Sequence, residues 1–378
     1  MTEPALAIAA EFDVETVRVE PHVGGLINRS FRVYRRFDDR PAYLLQQINV
    51  AVFPDPARLM DNVRAVTEHL GRAAHESLDR ERRVLRLVQA HDGRVLIRDA
   101  LGGFWRMYYF VAQTRTYESL PAVRFARPPN LVTESPSHDA VSLATNAAHA
   151  FGEFQAALAG YAGPPLHETI PGFHATPRRL AALERAAAAD LAGRAASVGE
   201  EIEFALRRWT LAAELESRRA AGVLPSRIVH NDAKLSNVLF DERSGEALCV
   251  IDLDTVMPGL AGHDFGDMVR STAATAAEDE PDATTVELRV EVFEGISRGY
   301  LGATRGFLTT SERETLVDAA KVITFEQGIR FLTDFLDGDA YYRTERAGQN
   351  LDRCRVQFAL LEWLERNERE LRRIVAYT

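Results

Sequence analysis

Cysteine is scarce in this sequence, and long apolar runs are missing. Only two of the 378 residues are cysteines, Cys249 in a strand-like segment and Cys354 in a helical one, which excludes a disulfide framework and a thiolate metal cluster. No apolar run reaches the length of about 20 residues that a membrane-spanning helix needs, and the N-terminus lacks the basic region of a signal peptide. We therefore expect a protein of the reducing cytoplasm without a membrane anchor.

Positive charge is also in deficit. The formal net charge is −10 at pH 7, whereas proteins that bind nucleic acid nonspecifically carry a basic face that neutralises phosphates. The pattern G-x-x-x-x-G-K-[ST] does not occur, which disfavours a P-loop nucleotide site. The predicted partner is a small molecule, and the sequence leaves the oligomeric state open.

The patterns that are present predict two lobes. The order strand, strand, strand, helix, strand, strand forms a small lobe, with a second helical segment from Glu81 to Gln89 before the last two strands. The rest is mainly helical, with one β-rich island, and its predicted helical stretches are 139–159, 176–221, 284–302, 311–337 and 349–374. We predict an α+β protein with an antiparallel sheet in lobe 1–112 and a helical lobe 113–378.

The β-rich island contains a pattern typical of phosphoryl transfer. The string HNDAKLSN has the spacing H-x-D-x-x-x-x-N of a kinase catalytic loop. In such a loop Asp232 orients an acceptor hydroxyl and takes its proton, while Asn237 offers a neutral oxygen to magnesium. The run ALCVI after the Ser-Gly turn ends at Asp252, which a hairpin returns beside Asn237, so these two residues are the predicted Mg²⁺ ligands. The alternative interpretation is a polar turn followed by an ordinary strand end.

A second acidic motif, HDFGD at 263–267, contains the tripeptide by which protein kinases hold magnesium. Asp264 follows several loop-breaking residues, whereas Asp252 follows the hairpin directly, so we prefer Asp252 as the metal ligand. We interpret Asp264 and Asp267 as caps of the next helix or as hydrogen-bonding braces of the catalytic loop. A substrate contact by Asp267 is the alternative.

These motifs resemble the aminoglycoside phosphotransferase and choline kinase superfamily, whose members share the protein-kinase fold. Within it, the strings GGLINRSF, VHNDAKLSNVLFD and VIDLDTVMPGL are most similar to the N-acetylhexosamine 1-kinases, a group of anomeric sugar kinases. The resemblance implies transfer of the ATP γ-phosphate to the anomeric hydroxyl of an N-acetylhexosamine, with ATP and Mg²⁺ as cofactors. Asp232 would be the general base.

The resemblance also implies binding residues for both substrates. The predicted nucleotide-binding residues are Gly24, Gly25, Asn28 and Gln46. Gly24 and Gly25 join two strands and could let backbone amides approach the ATP phosphates, with a simple hairpin turn as the alternative. The acceptor-binding residues are Asn231, Lys234, Asp254, Arg330 and Tyr341. Lys234 has the alternative role of stabilising phosphate charge, and Arg330 and Tyr341 could be ordinary surface and packing residues.

One departure from the kinase pattern concerns the third strand, YLLQQIN. Gln46 and Gln47 stand where most kinases of this fold have a lysine that pairs with the α- and β-phosphates. We interpret the glutamine as a neutral hydrogen-bond donor that leaves more of the phosphate charge to magnesium. Weakened nucleotide binding is the alternative.

Three other functions stay open at this stage. A kinase of the same fold could act on an amino alcohol or an aminoglycoside, which the acidic run 278–282 favours only if it is more than a solvated loop. A metal phosphohydrolase could be built from His230, Asp252, His263 and Asp264. A nucleotide-binding module without catalysis is the third.

Overall fold

The structure, a computed structural model, describes residues 2–22, 27–74, 79–121 and 139–378. Gly24 and Gly25, two of the predicted nucleotide-binding residues, lie outside the described residues. No helix in the described ranges combines the length and the apolar character that crossing a membrane requires.

Five antiparallel strands form the sheet of the first lobe, in the order β1-β2-β3-β5-β4. They are β1 (Arg18–His22), β2 (Arg29–Tyr34), β3 (Tyr43–Ile48), β4 (Ile97–Arg98) and β5 (Phe104–Tyr109). Side chains alternate between the two faces of these strands. One face, which includes Leu45 and Met107, packs with helix α1 (Thr2–Ala9). The other face, which includes Ile48 and Tyr108, packs on helix α2 (Pro56–Ala73).

Helix α2 follows the sequence pattern, but the next predicted helix does not. Asp55 caps α2 by accepting from the Arg58 amide at 3.1 Å, and Pro56 fits the first turn because its missing N–H would have no helical partner there. Helix α3 (Arg80–Arg83) is short, so the helix predicted from Glu81 to Gln89 is wrong beyond Arg83. The following segment is extended because the edge of β5 offers it backbone hydrogen bonds, such as that from Val88 N to Met107 O at 2.8 Å.

Ten helices of the second lobe are described. They are α4 (Ala140–Ala159), α5 (Thr176–Ala189), α6 (Gly199–Leu206), α7 (Trp209–Ala220), α8 (Ala261–Thr272), α9 (Val290–Thr304), α10 (Thr310–Glu314), α11 (Leu316–Leu336), α12 (Gln349–Arg366) and α13 (Glu368–Tyr377). The core packs α4 against α9, and α11 against α8 and α12. Gly299 of α9 allows the close contact with α4, since a Cβ there would lie 2.2 Å from the Thr145 carbonyl oxygen.

Short strands position the functional loops. They are β6 (Thr114–Arg115), β7 (Arg227–Val229), β8 (Val238–Asp241), β9 (Ala247–Val250) and β10 (Met257–Gly259). The predicted hairpin is formed by β8 and β9, and β6 adds to its edge. The pairing of β10 with β7 was not predicted. The α+β class with an antiparallel sheet is confirmed, whereas the boundary between residues 112 and 113 stays a prediction.

Candidate active site

The loop after β7 contains the predicted catalytic residues, and buried contacts hold its backbone. Asn231 has a left-handed conformation with φ 63°, which costs free energy in a residue other than glycine and therefore needs support. Its side-chain nitrogen donates to the Thr255 carbonyl oxygen at 2.9 Å, and the Thr255 hydroxyl donates to the His230 carbonyl oxygen at 2.7 Å. The start of the loop is therefore fixed to the segment after Asp252.

Asp264 supplies the main support of this loop. It is fully buried, and its carboxylate accepts from the His230 amide at 2.9 Å, from the Asn231 amide at 2.7 Å and from Gln155 at 2.6 Å. Burial raises the pKa of the Asp264 carboxyl, and these donors only partly offset that effect. The predicted brace is thus present.

The capping role predicted for the same motif is wrong. Helix α8 begins at Ala261 with Leu260 at its N-cap, so Asp264 and Asp267 lie inside the helix. Asp267 forms a buried ion pair with Arg270 at 2.6 Å. The prediction failed because α8 begins at Ala261, directly after β10 ends at Gly259, and so starts before the HDFGD motif.

The ring nitrogens of His230 are both used within the protein. Nε2 lies 2.8 Å from the Ile251 carbonyl oxygen, and the Asp232 amide donates to Nδ1 at 3.3 Å. An imidazole that accepts at Nδ1 and donates at Nε2 is neutral. No nitrogen lone pair of His230 is left for a metal, which disfavours the phosphohydrolase built around it.

Asp232 is held by two donors and partly open to solvent. Asn237 Nδ2 and Lys234 Nζ lie 2.8 and 2.9 Å from its Oδ2, and 28% of the side chain is exposed. Burial alone would raise the pKa of the Asp232 carboxyl, but the charge of Lys234 and the Asn237 amide lower it to about 2. The group is therefore ionised near neutral pH. Both donors contact Oδ2, and among the residues that the structure describes none donates to Oδ1.

Asn237 and Asp252 come together as predicted. The Ile251 amide donates to the Asn237 carbonyl oxygen at 2.9 Å, because the hairpin register pairs Val238 with Val250. Asp252 follows with φ 60°, a conformation that turns the chain sharply after β9. The two predicted metal ligands are therefore neighbours at the end of one hairpin.

The oxygens at this point fit a divalent cation. In the described part of the chain, neither Asn237 Oδ1 nor the Asp252 carboxylate receives a hydrogen bond. Burial raises the pKa of the Asp252 carboxyl to about 6, and the carboxylates of Asp254 and Asp232 act in the same direction. A magnesium ion prefers such hard oxygen ligands and would offset this charge.

The predicted nucleotide-binding residues Asn28 and Gln46 each form a hydrogen bond with one member of a buried ion pair. Asn28 donates to Asp254 Oδ2 at 2.7 Å, and Arg106 of β5 pairs with Asp254 Oδ1. Gln46 Oε1 accepts from Arg106 Nε at 3.1 Å. Both oxygens of Asp254, predicted to meet the acceptor, are thus occupied by protein donors.

The remaining predicted acceptor residues lie around α11. The Arg330 guanidinium packs over the rings of Phe173 and Tyr342, with centroid distances of 5.0 and 5.7 Å, and donates to Gln327 at 3.2 Å. Tyr341 lies in the turn after α11, and 56% of it is exposed.

The sequence patterns did not indicate His174 as a functional residue. Its Nδ1 lies 2.8 Å from Glu326 Oε1, and its Nε2 lies 3.1 Å from the Asn231 carbonyl oxygen. Glu326 also accepts from the Thr176 hydroxyl at 2.6 Å. No local sequence pattern could predict the contact between His174 and Glu326, because 152 positions separate them.

A cavity of about 140 Å³ opens beside the catalytic loop. Asn231, His174, Met257 and Gly259 are among its lining residues, but Asp232 is not. The partly exposed carboxylate of Asp232, the predicted general base, therefore lies outside this cavity.

Comparison with known proteins assigns this geometry to a family. The model of the family described as "Phosphotransferase enzyme family" (APH) matches residues 19–301. The chain belongs to this family. It is an ATP-dependent phosphotransferase that acts on an alcohol group, as the catalytic loop predicts.

Solved structures of similar architecture cover nearly the whole phosphotransferase. An amicoumacin kinase in complex with AMP-PNP, Ca²⁺ and Ami has 14% identity and a TM-score of 0.59, with 95% of this chain and 93% of that chain covered. A microcompartment-associated aminopropanol kinase has 15% identity and a TM-score of 0.55, with 98% of both chains covered. Choline kinase from Cryptosporidium parvum has 13% identity and a TM-score of 0.54, with 98% and 96% covered. The predicted protein-kinase-like fold is confirmed.

Proposed function

We propose that this phosphotransferase transfers the ATP γ-phosphate to the anomeric C1 hydroxyl of an N-acetylhexosamine, N-acetylglucosamine or N-acetylgalactosamine, and so forms a sugar 1-phosphate. The observation that carries the proposal is the positive charge around Arg330, one of the predicted acceptor-binding residues. Among the described residues, no carboxylate lies within 4.0 Å of the Arg330 guanidinium. The two free, buried cysteines agree with a cytoplasmic enzyme.

A second guanidinium strengthens this charge. Arg179 donates to the Phe173 carbonyl oxygen at 2.8 Å, on the same segment that packs under Arg330. Burial lowers the pKa of Arg179, and the charge of Arg330 acts in the same direction. The buried carboxylate of Glu326 offsets part of this charge. The remaining guanidinium charge disfavours a cationic acceptor, whereas hydroxyl and amide carbonyl oxygens of a neutral sugar can accept from the guanidinium groups.

The segment around residues 173 and 174 connects this side with the loop. The Phe173 and His174 rings lie 4.6 Å apart between centroids, and His174 contacts the Asn231 carbonyl. We propose that Asn231, Lys234, Arg330 and Tyr341 contact the sugar. Exposed Tyr341 could cover an apolar sugar face.

The residues of the loop perform the transfer in this proposal. Asp232 accepts a hydrogen bond from the C1 hydroxyl and takes its proton late, because phosphoryl transfer has a loose transition state that needs positioning more than strong base catalysis. Lys234 holds Asp232 ionised and adds positive charge near the transferred group. Asn237 and Asp252 would hold Mg²⁺, which neutralises charge on the ATP phosphates.

An amino alcohol or aminoglycoside acceptor is the competing candidate, since the aminopropanol and choline kinases share the fold. An acceptor screen that measures ADP release separates the two. It should contain both N-acetylhexosamines, their methyl glycosides blocked at C1, aminopropanol, choline and an aminoglycoside. ³¹P and ¹³C NMR then identify the phosphorylated carbon.

We expect turnover with the free sugars and none with the methyl glycosides. Phosphorylation of an amine-bearing acceptor in place of the sugars, or of a hydroxyl other than C1, would overturn the proposal. Asp232→Asn serves as the inactive control for contaminating ATPase activity.

A further inference from the structure

The sheet of this phosphotransferase contains no lysine that could bind ATP phosphates. The only lysines of the chain are Lys234 and Lys321, both far outside residues 1–112. Kinases of related mechanism place a lysine of the third strand, itself held by a carboxylate, against the phosphates. The position of that lysine on β3 is occupied here by neutral side chains, Gln46 and Gln47.

A buried arginine occupies the neighbouring strand at the same level. Arg106 of β5 is the cross-strand partner of Gln46, so their side chains share one face of the sheet. Only 1% of the Arg106 side chain is exposed, and its Nε donates to Gln46 Oε1 at 3.1 Å. This face packs toward α2 and the catalytic lobe, as Tyr108 and Leu253 in the same cluster indicate.

The carboxylate partner of Arg106 comes from the catalytic lobe. Asp254, 3% exposed, pairs with Arg106 Nη1 and also accepts from Asn28. Asp254 stands two residues after the proposed metal ligand Asp252. Burial opposes the charge of Arg106, but Asp254, followed by Tyr108 and Asp252, holds its pKa above the ordinary value. The guanidinium is therefore close to the point at which the metal and phosphates would meet.

Part of the hydrogen-bonding capacity of the Arg106 guanidinium is not used by the described residues. An arginine carries five N–H donors in a planar fork, which suits phosphate oxygens. Nε is used by Gln46, and Nη1 by Asp254, with a weaker contact to Met60 Sδ at 3.9 Å. Within the described ranges of the chain, Nη2 makes no hydrogen bond.

We propose that Arg106 on β5 takes the place of the missing strand lysine and binds the α- and β-phosphates of ATP, with Gln46 and Asp254 orienting its guanidinium. The proposal rests on the ATP-dependent activity and on Asp252 as a metal ligand, and it does not depend on the identity of the acceptor. Asp254 is then a positioning residue that acts through Arg106.

Binding measurements on four variants test this assignment. Arg106→Gln removes the charge, and Arg106→Lys keeps it. Because Arg106→Gln alone leaves Asp254 unpaired in the interior, the double variant Arg106→Gln/Asp254→Asn provides a neutral pair that is expected to fold. Arg32→Gln is the matched control, since Arg32 of β2 also contacts a neutral partner in the sheet, His22 at 3.0 Å.

Isothermal titration with ATP and with AMP, each with Mg²⁺ and with EDTA, gives the readout. We expect Arg106→Gln and the double variant Arg106→Gln/Asp254→Asn to bind ATP about 10- to 100-fold more weakly, because charge-assisted hydrogen bonds to phosphate are lost. AMP binding should weaken by a smaller factor, since AMP keeps the α-phosphate contact but lacks the β-phosphate, and Arg106→Lys should restore part of the ATP affinity. Arg32→Gln should match the unsubstituted enzyme.

Three results would overturn the proposal. The first is unchanged ATP affinity in the folded double variant, and the second is an equal loss for ATP and AMP, which a purely structural pair would produce. The third is a loss that disappears in EDTA, since it would assign the effect to the metal site around Asp252. Failure of the sugar proposal would appear only in the acceptor screen and would leave these binding results intact.

Discussion

The Nδ1 atom of His174 lies 2.8 Å from Oε1 of Glu326, while the other ring nitrogen faces the Asn231 carbonyl oxygen. Both partners can only accept, so the imidazole donates from both nitrogens and is protonated. Burial lowers the pKa of His174, but Glu326 outweighs this effect and leaves the pKa above 6.5, with Asp267 raising it and Arg330 lowering it. A charged histidine therefore fixes the catalytic loop to α11.

The stability of the fold should consequently depend on pH through His174. Because its pKa is higher in the folded than in the unfolded chain, its contribution is fully present below about pH 6.5 and is lost as pH rises through the folded pKa. We expect His174→Gln to lower the free energy of unfolding by about 3 kcal/mol near pH 6, since Glu326 loses its buried partner. Urea unfolding at several pH values should show this difference narrowing toward pH 9.

His149→Gln is the control for this experiment. His149 faces Glu153 at 3.5 Å, but 49% of its side chain is exposed, and exposed pairs contribute less than about 1 kcal/mol. A difference between His174→Gln and the unsubstituted enzyme that stays constant or grows with pH would contradict the protonated state.

Asp264→Asn should loosen the catalytic loop. The amide replaces one acceptor oxygen by a donor that faces the backbone N–H groups of His230 or Asn231. We expect a loss of about 1–3 kcal/mol in the free energy of unfolding, measured in urea, together with a lower kcat. Asp282→Asn is the control, because Asp282 accepts from the Thr284 amide at 3.1 Å on the surface. Equal effects of the two substitutions would count against the bracing role.

Asp232→Asn should separate catalysis from nucleotide binding. The amide keeps the shape of the side chain but cannot take a proton, so we expect kcat to fall by about 10²- to 10⁴-fold. The affinity for Mg·ATP, measured by titration, should change by less than about twofold. A nucleotide-binding module without catalysis would instead show no turnover in either form.

Asp252→Asn should raise the magnesium requirement. Of the two proposed Mg²⁺ ligands, only Asp252 is charged, and the substitution removes that charge. Half-maximal activity should therefore need at least about tenfold more Mg²⁺. Asp61→Asn on the exposed face of α2, where 58% of the Asp61 side chain is accessible, should leave the requirement unchanged. An unaltered Mg²⁺ titration in the Asp252 variant would reopen the DFG-like Asp264 as the ligand.

Arg330→Met should weaken binding of the acceptor without changing binding of ATP. Loss of the guanidinium removes charged donors to sugar oxygens, and we expect the KM for the acceptor to rise by about 10- to 100-fold. The KM for ATP should stay constant in the same steady-state assay. Arg194→Met is the control, since Arg194 also packs over an aromatic ring, Phe335, with 4.6 Å to the centroid. A parallel rise in both KM values would assign Arg330 a structural role.

Local patterns predicted much of the fold correctly. The strands around Phe31, Leu45 and Met107 and the helix opened by Pro56 lie where alternation and helical spacing indicate. The prediction of a helix up to Gln89 was wrong because periodicity shows only where the apolar residues lie. It does not report that the edge of β5 was open for hydrogen bonds to this segment.

The centre formed by Asp232, Asn237 and Asp252 was determined by the sequence itself. One loop and one hairpin connect these residues, and the Ser-Gly turn with its flanking apolar runs indicates the hairpin over a short stretch of chain, although not the register shift between Leu239 and Phe240. Local chemistry was therefore sufficient to bring them together.

The groups that support this centre were decided only by the tertiary structure. Arg106 and Asp254 are 148 positions apart, Asn28 and Asp254 are 226 apart, and His174 and Glu326 are 152 apart. Each of these contacts requires the packing of one lobe or element on another, which no local periodicity encodes. The sequence thus revealed that a lysine is missing from the third strand, while only the register of β3 on β5 placed Arg106 beside Gln46.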